Sequence, residues 1–313
     1  MEQSFSKTYG LSVEAEVHPV MKTNVEKQGI TVHFKDSNIA PTVYVDEAFQ
    51  QYVDGDVSIS KVVEKMCEGA YEAHKHSPEL PELTPDEAKK HITLTLVNTE
   101  RNEQLLAQAP HFEIGDLSAI PRWYINDNAS FVVNNDIASS LMMTPDEVLS
   151  IGQQNINAQE FEIKPMQEIL RDMFSAEGMD PEMMDMMMPP DMAGTQMIVM
   201  TSPSHTNGAN SLLSEKALNQ VHDMLGDYIV LPSSIHEVIC IPADDRMSPE
   251  ELRKMVHEVN VTQVAPQDFL SDNIMEYDGQ KLSVVRDDLK MDSPKVDGPK
   301  LDERTVHYAG MAM

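Results

Sequence analysis

Apolar and polar positions along the chain alternate between strand-like and helix-like spacing without a regular repeat. Gly29-Ile30-Thr31-Val32-His33-Phe34 places an apolar residue at every second position, the period of a half-buried strand. Pro41-Thr42-Val43-Tyr44-Val45 predicts a second strand. Ile59, Val62, Val63, Met66 and Ala70 then follow the i, i+3, i+4, i+7 spacing of an amphipathic helix. Ile92 to Val97 interleaves Ile, Leu and Leu with Thr and predicts a half-buried strand. Leu117 to Ile125 and Ser130 to Val133 predict a hairpin around the turn-rich Asn126-Asp127-Asn128.

The stretch from Thr201 to Asp245 carries the most information. It reads as loop, amphipathic helix, tight turn, strand, polar break and strand. A helix over 210–225 would turn Leu213, Ala217, Leu218, Val221, Met224 and Leu225 to one side and stop at Gly226. The break, Pro232-Ser233-Ser234-Ile235-His236-Glu237, sets hydroxyls, an imidazole and a carboxylate between two apolar runs, where a scaffold displays polar groups. Met197 to Met200 predicts a strand before this stretch. After it, Ser248 opens a helix with Leu252, Met255, Val256 and Val259 inward, and Asp278-Gly279 marks a hairpin turn.

One element recurs. Thr84-Pro85-Asp86-Glu87, Thr144-Pro145-Asp146-Glu147 and Ser248-Pro249-Glu250-Glu251 each pair a hydroxyl N-cap with proline at the first helical position and glutamate at the third. They are read as three independent helix starts rather than as copies of one unit, the first opening a helix of about one turn. The histidines His74 and His76, two apart, are placed in the solvated end of the preceding helix.

The order of elements argues for an α+β fold, antiparallel hairpins with helices packed on one face, in two lobes; it argues against a doubly wound parallel sheet. The expected organisation is a polar N-terminal segment over 1–28, an α+β lobe over 29–165, an acidic Met-rich linker or insert over 166–195, a second α+β lobe over 196–285 and a disordered tail over 286–313. The tail expectation rests on spaced Lys-apolar-Asp triplets broken by Pro and Gly.

Charge narrows the function. With 52 acidic against 23 basic side chains the formal net charge is −29, a field that repels phosphate backbones, so direct nucleic-acid binding is not expected. The acidity serves solubility or the capture of a basic protein partner. Imitation of DNA by carboxylates is a third reading, weakened because the acids are spread over the whole chain. Cys67 and Cys240 are too few for a disulfide framework; Cys240, within an apolar run, is expected as a buried thiol, and Cys67 lies near the apolar face of a predicted helix. MEQSFSKTYG is no signal peptide and no apolar run spans a membrane, so a cytoplasmic location is expected.

Six methionines fall between Met183 and Met192, among acids and before and after Pro189-Pro190. Met183, Met184, Met186, Met187 and Met188 are candidates for an adaptable docking surface. Thioethers suit Cu(I), but a dedicated site adds Cys or His and none is near, so neither metal nor cofactor is expected.

The chain has no phosphate-binding loop, no dinucleotide fingerprint and no nucleophile elbow. His236-Glu237 does not open a metalloprotease motif, because position 240 is Cys. The best case for catalysis joins Ser233, Ser234, His236, Glu237 and Asp116, with His111 or His205, since Ser-His-acid sets assemble from distant residues. Against it, the two serines after Pro232 read as hydroxyls that bond local backbone, and Asp116 as a turn or cap residue. The chain therefore reads as a non-enzyme, with a hydrolase or transferase at the Pro232–Glu237 turn as the alternative.

Several strings carry a family resemblance: Leu96-Val97-Asn98, Arg101-Asn102, Leu105-Leu106, Pro110-His111, Phe112, Asp116-Leu117, Asn207-Gly208-Ala209, Ser211-Leu212-Leu213, Leu231 to Val238 and Ser271-Asp272. They resemble a domain-of-unknown-function family of Gram-positive gut bacteria and their mobile elements, over roughly 28–285. The Pro-Ser-Ser-Ile-His-Glu string is the most specific part. The resemblance implies architecture and prokaryotic origin, and brings no activity. The resulting expectation is a cytoplasmic protein-interaction or regulatory protein of a mobile element.

Overall fold

Two ten-residue strands, β1 (Val13–Lys22) and β2 (Val25–Phe34), form a long antiparallel hairpin to which β3 (Thr42–Tyr44) adds at the β2 edge. The computed structural model of the chain describes residues 1–37, 39–55, 57–77, 81–126, 129–176, 178, 196–244 and 247–285. The Met-rich candidates Met183, Met184, Met186, Met187 and Met188, and the tail from Arg286, lie outside the described residues.

The first 28 residues, expected as a polar segment, hold helix α1 (Glu2–Tyr9), all of β1 and the start of β2. The cause is cross-strand pairing. Val13, Ala15 and Val17 lie opposite Phe34, Val32 and Ile30, and the row they form packs against α1 and α3 (Ile59–Lys75). Helix α2 (Asp46–Val53) joins β3 to α3. Phe5 meets Phe34 edge-on at 5.6 Å, and Val62, Met66, Cys67 and Ala70 of α3 are buried as the spacing requires. His74, expected in solvent, is half-buried and stacks on the Phe34 ring at 3.8 Å.

The remaining strands form two further sheets, and every described pairing is antiparallel. In one, β4 (Ile92–Asn98) pairs with β6 (Leu117–Asn126), which also pairs with β5 (Phe112–Ile114) and β7 (Ala129–Val132). Helices α4 (Pro85–His91), α5 (Glu103–Leu106), α6 (Asn135–Ser140) and α7 (Pro145–Ala158) flank it. β4 is covered on both faces, so all but Thr93 is buried, more than its alternation predicts.

The six-stranded sheet runs β13-β12-β10-β11-β9-β8, with β8 (Glu162–Pro165), β9 (Ile198–Thr201), β10 (Tyr228–Leu231), β11 (Glu237–Pro242), β12 (Met275–Tyr277) and β13 (Leu282–Val284). β8 lies before α8 (Met166–Ala176) and the Met-rich stretch, and β9 after it, yet the two pair in register from Glu162↔Thr201 to Pro165↔Ile198. One core cluster accordingly joins Leu94, Leu96 and Leu117 to Met200, Val230 and Tyr228.

Helices cover both faces of this sheet, not one. Tyr228, Val230, Val238 and Cys240 point to the main core, which α9 (Glu215–Leu225) helps to close. Ile229, Leu231 and Ile241 point the other way, onto Leu252 and Val256 of α10 (Pro249–Thr262). Unbroken apolar runs such as Tyr228-Ile229-Val230-Leu231 need cover on both sides. Met255 and Val259, expected inward, are exposed, because Leu252, Val256 and Asn260 form the buried stripe.

Helix starts obey their capping chemistry. Thr144 and Ser248 form reciprocal capping boxes with Glu147 and Glu251. Thr84 caps α4, but Glu87 turns to Lys90 and His91 instead, and α4 runs seven residues rather than one turn. The helix expected over 210–225 begins later: Gly208–Leu213 is a 3₁₀ turn, and buried Ser214 caps α9 by accepting from Ala217 N–H at 3.3 Å. Gly226 ends α9 with φ of 72°.

The caps can be tested by substitution and by pH. Ser214→Ala should destabilise the protein by about 1.5 kcal/mol, read from urea unfolding, since a buried cap is lost. Glu147 and Glu251 are held below the ordinary carboxylate range by the backbone N–H and hydroxyl of Thr144 and Ser248. Lowered carboxyl values mean that this stabilisation is present above the unfolded-state value and fades as pH falls through the folded one. Stability differences between wild type and Ser248→Ala should therefore shrink below about pH 4.3. No described helix is long and apolar enough to cross a membrane.

Candidate functional site

Proline sets the geometry of the polar break. Pro232 has no N–H to offer, and the β10–β11 ladder stops at Leu231↔Ile239. Residues 232–236 leave the sheet and are taken up by two other segments. The loop between α10 and β12 donates Leu270 N–H to Ser233 O at 3.1 Å and Ser271 N–H to Pro232 O at 3.0 Å. Ile235 N–H returns a bond to Asp268 O at 2.8 Å. On the other side, Gly208 N–H donates to His236 O at 3.0 Å and Ala209 N–H to Ile235 O at 3.1 Å, while Thr201 Oγ1 also donates to His236 O at 2.9 Å. The turn is thus a three-way junction of backbone.

The side chains follow from that. Ser234 is buried, and its Oγ accepts the His236 backbone N–H at 3.0 Å. Ser233 and His236 are half-buried and Glu237 is exposed. The imidazole Nε2 of His236 faces Asp268 Oδ1 at 3.3 Å, so its acid is neither Glu237 nor Asp116. Its Nδ1 is buried and has no hydrogen-bond partner among the described residues.

Asp116 does reach the same loop, at a different point. Its Oδ2 accepts from Ser271 Oγ at 2.6 Å and Asn273 Nδ2 at 3.0 Å. His111 bonds the Ala109 carbonyl at 2.9 Å, and exposed His205 sits at φ of 55° in the loop after β9. The candidates for a Ser-His-acid set are therefore divided between two clusters: Ser234 serves backbone, His236 pairs with Asp268, and Asp116 holds Ser271. A general base at His236 would have to work through buried Nδ1.

Asparagines complete the junction, and the pattern along the chain does not single them out. Asn98 Nδ2 donates to Leu270 O at 2.9 Å. Asn102 and Asn24 exchange two bonds: Asn24 N–H to Asn102 Oδ1 at 2.9 Å and Asn102 Nδ2 to Asn24 Oδ1 at 2.8 Å. Asn24 Nδ2 continues to Phe269 O at 2.5 Å and Gln267 O at 3.1 Å. Asn260 Nδ2 bonds Ser271 O at 2.8 Å, and Asn210 Oδ1 accepts Leu96 N–H at 2.9 Å. The Arg101 guanidinium stacks over the Phe269 ring at 3.6 Å. The Thr23-Asn24 tip of the β1–β2 hairpin thereby plugs into the 265–273 loop. Only the turn-forming character of Asn hints at such a role.

Metal ligation finds no cluster of three or more His, Cys, Asp or Glu among the described residues. Cys240 is fully buried with its Sγ 3.5 Å from Met200 Sδ, and burial pushes its thiol well above the ordinary range. Cys67 is buried too, and its thiol is raised for the same reason. Neutral thiols in such sites are poor nucleophiles.

Asn98, Arg101, Asn102, Asp116, Gly208, Ala209, Pro232 to His236 and Ser271, far apart in the chain, meet at this one junction. No curated protein and no solved structure matches the chain. A family does match it, over residues 1–279, which take in every element of the junction, and the chain belongs to that family of unknown function, DUF5688.

Proposed function

We propose that the chain is a non-catalytic protein-interaction or regulatory protein of the bacterial cytoplasm, carried by Gram-positive bacteria and their mobile elements. One observation supports this above others. Much of the polarity of the Pro232–Glu237 turn is spent on the fold: Ser234 Oγ accepts the His236 N–H, the carbonyls of Pro232, Ser233, Ile235 and His236 all accept backbone bonds, and one imidazole nitrogen of His236 pairs with Asp268. A catalytic serine would instead offer its hydroxyl to the imidazole. The net charge of −29 favours a basic protein as partner.

The test has two arms. Chain immobilised and exposed to host lysate should retain a defined protein at low salt and release it as ionic strength rises past about 0.15 M. Purified chain should show no turnover of ester, amide or phosphoester substrates that depends on His236. Hydrolysis abolished in a folded His236→Gln variant would overturn the proposal, as would an empty capture at low salt.

A further inference from the structure

Three apolar rows in the N-terminal unit lose their cover at the same end. On α3 the inward stripe of Val62, Met66, Cys67 and Ala70 is buried, but its first-turn member Ile59 is 59% exposed. On β1 the row passes from Val13, 6% exposed, through half-buried Ala15 to Val17, 70% exposed. Their partners on β2 do the same, from Val32 and Phe34 in the core to half-buried Ile30. The cause is the length of α1, whose eight residues bury only Phe5 and cannot roof strands of ten residues. What remains is an open groove of about 750 Å³ floored by Ala15, Val17, Ile30, Ile59 and Val63, with Glu2 in its wall. That volume falls within the range of about 300–1,000 Å³ common for binding sites.

The strand edge beside the groove is closed to a further strand. Ala15 N–H is taken by the Glu2 carboxylate at 3.0 Å. Pro19, of the same parity on β1 and hence at the same edge, has no N–H. Pairing of a partner strand would meet a blocked donor and a missing one within four residues. A helix laid over the floor needs neither.

We propose that this groove docks an amphipathic, basic helix of a partner protein, set beside α1 and α3 with its apolar face on Val17, Ile30 and Ile59. This names the surface for the interaction function above and rests on that reading. The apolar floor selects the buried face of the helix. Its cationic face is selected by the field of the whole chain, at −29, rather than by a local acidic cluster, since Lys61 and Lys65 stand beside Glu64 on α3. The same field opposes a second copy of the chain in the groove.

The test uses the full chain and a fluorescein-labelled peptide of leucine and lysine, about 18 residues or five turns long, with leucine on one face. A scrambled peptide of the same composition measures attraction by charge alone. Anisotropy at near-physiological salt should show tighter binding of the amphipathic peptide, weakened about tenfold or more by Ile59→Asp and by Val17→Asp. Val261→Asp, at a residue 70% exposed on α10, should leave binding unchanged. Both groove residues are exposed, and circular dichroism checks the fold; Ile59→Ser and Val17→Thr should show the same direction with smaller losses. Equal binding of the two peptides, or unchanged affinity in the folded groove variants, would overturn the proposal. So would displacement of the peptide by dodecanoate or by self-association of the chain, which would give the groove to an acyl chain or to a second copy. Failure here leaves the proposed function standing, because that one is decided by capture from lysate and by turnover at His236.

Discussion

Gly208→Ala is expected to cost about 3 kcal/mol or more, a large loss for a single added methyl group. A Cβ at this position would lie 2.5 Å from Thr201 Cα and 2.6 Å from Ser202 N, and against the His236 carbonyl oxygen as well. All three are backbone atoms. Thr201 belongs to the β9–β11 and β8–β9 pairings, and the His236 carbonyl already accepts Gly208 N–H and Thr201 Oγ1. Relief of the clash must therefore open a ladder or break the junction, since no flexible side chain is there to yield. Gly69→Ala is the matched control. Gly69 sits inside α3 with Val43 Cγ1 at 3.9 Å as the nearest atom to a new Cβ, so helix propensity decides, and a gain of up to about 1 kcal/mol is expected. Urea unfolding of both variants reads the contrast. A loss below about 1 kcal/mol at Gly208 would mean that the three segments are not packed this closely.

Asn102→Asp should cost about 2–3 kcal/mol at neutral pH while changing almost no volume. Asn102 is fully buried, and its Nδ2 donates to Asn24 Oδ1 at 2.8 Å and to Asn98 O at 2.7 Å. The substitution sets an acceptor against each of those acceptors in a site without water access. Burial beside carbonyl oxygens raises the pKa of the introduced carboxyl above its unfolded value. The neutral acid can restore one donor, so the deficit should shrink as pH falls. Asn24→Ala removes the acceptor at the other end of the Asn102 Nδ2–Asn24 Oδ1 bond. The two changes should cost less together than their sum, because both remove that one bond. Hydrogen exchange at the hairpin tip should rise in both variants, because Asn24 joins the N-terminal unit to the loop at 267–269. Additive losses would show that the tip and Asn102 are not coupled.

How far the chain can be read from its sequence depends on how local each determinant is. Thr144, Ser248 and Gly226 fall where their capping chemistry puts them, because a cap is settled within four residues. The hairpin around Asp278-Gly279 is likewise local: Asp278 Oδ1 accepts from Gln280 and Lys281 N–H, and Gly279 takes φ of 81°. β1 escapes a reading by composition although Val13-Glu14-Ala15-Glu16-Val17 alternates cleanly, because the polar residues around it outweigh a five-residue pattern. Met255 and Val259 depart from expectation for a different reason. An apolar stripe wider than the contact surface leaves its margin in solvent, and the position of the sheet chooses the margin.

The residues around His236 show the limit more sharply. Ser233, Ser234, His236 and Glu237 stand together in the sequence, and their chemistry invites a catalytic reading. Their roles are decided by Asp268, Leu270 and Ser271, more than thirty residues on, and by Gly208 and Ala209, more than twenty-five before. Nothing in the spacing names Asp268 as the partner of His236, or Asn102 as the partner of Asn24. Periodicity and capping are consequences of bonds between near neighbours, so element types, most helix starts and the α+β class are legible along the chain. Pairing of β8 with β9, cover on both faces of the central sheet and the three-way junction at Pro232 are contacts between distant segments. Those arise only when burial of the apolar runs brings the segments together and forces each backbone donor to find an acceptor there.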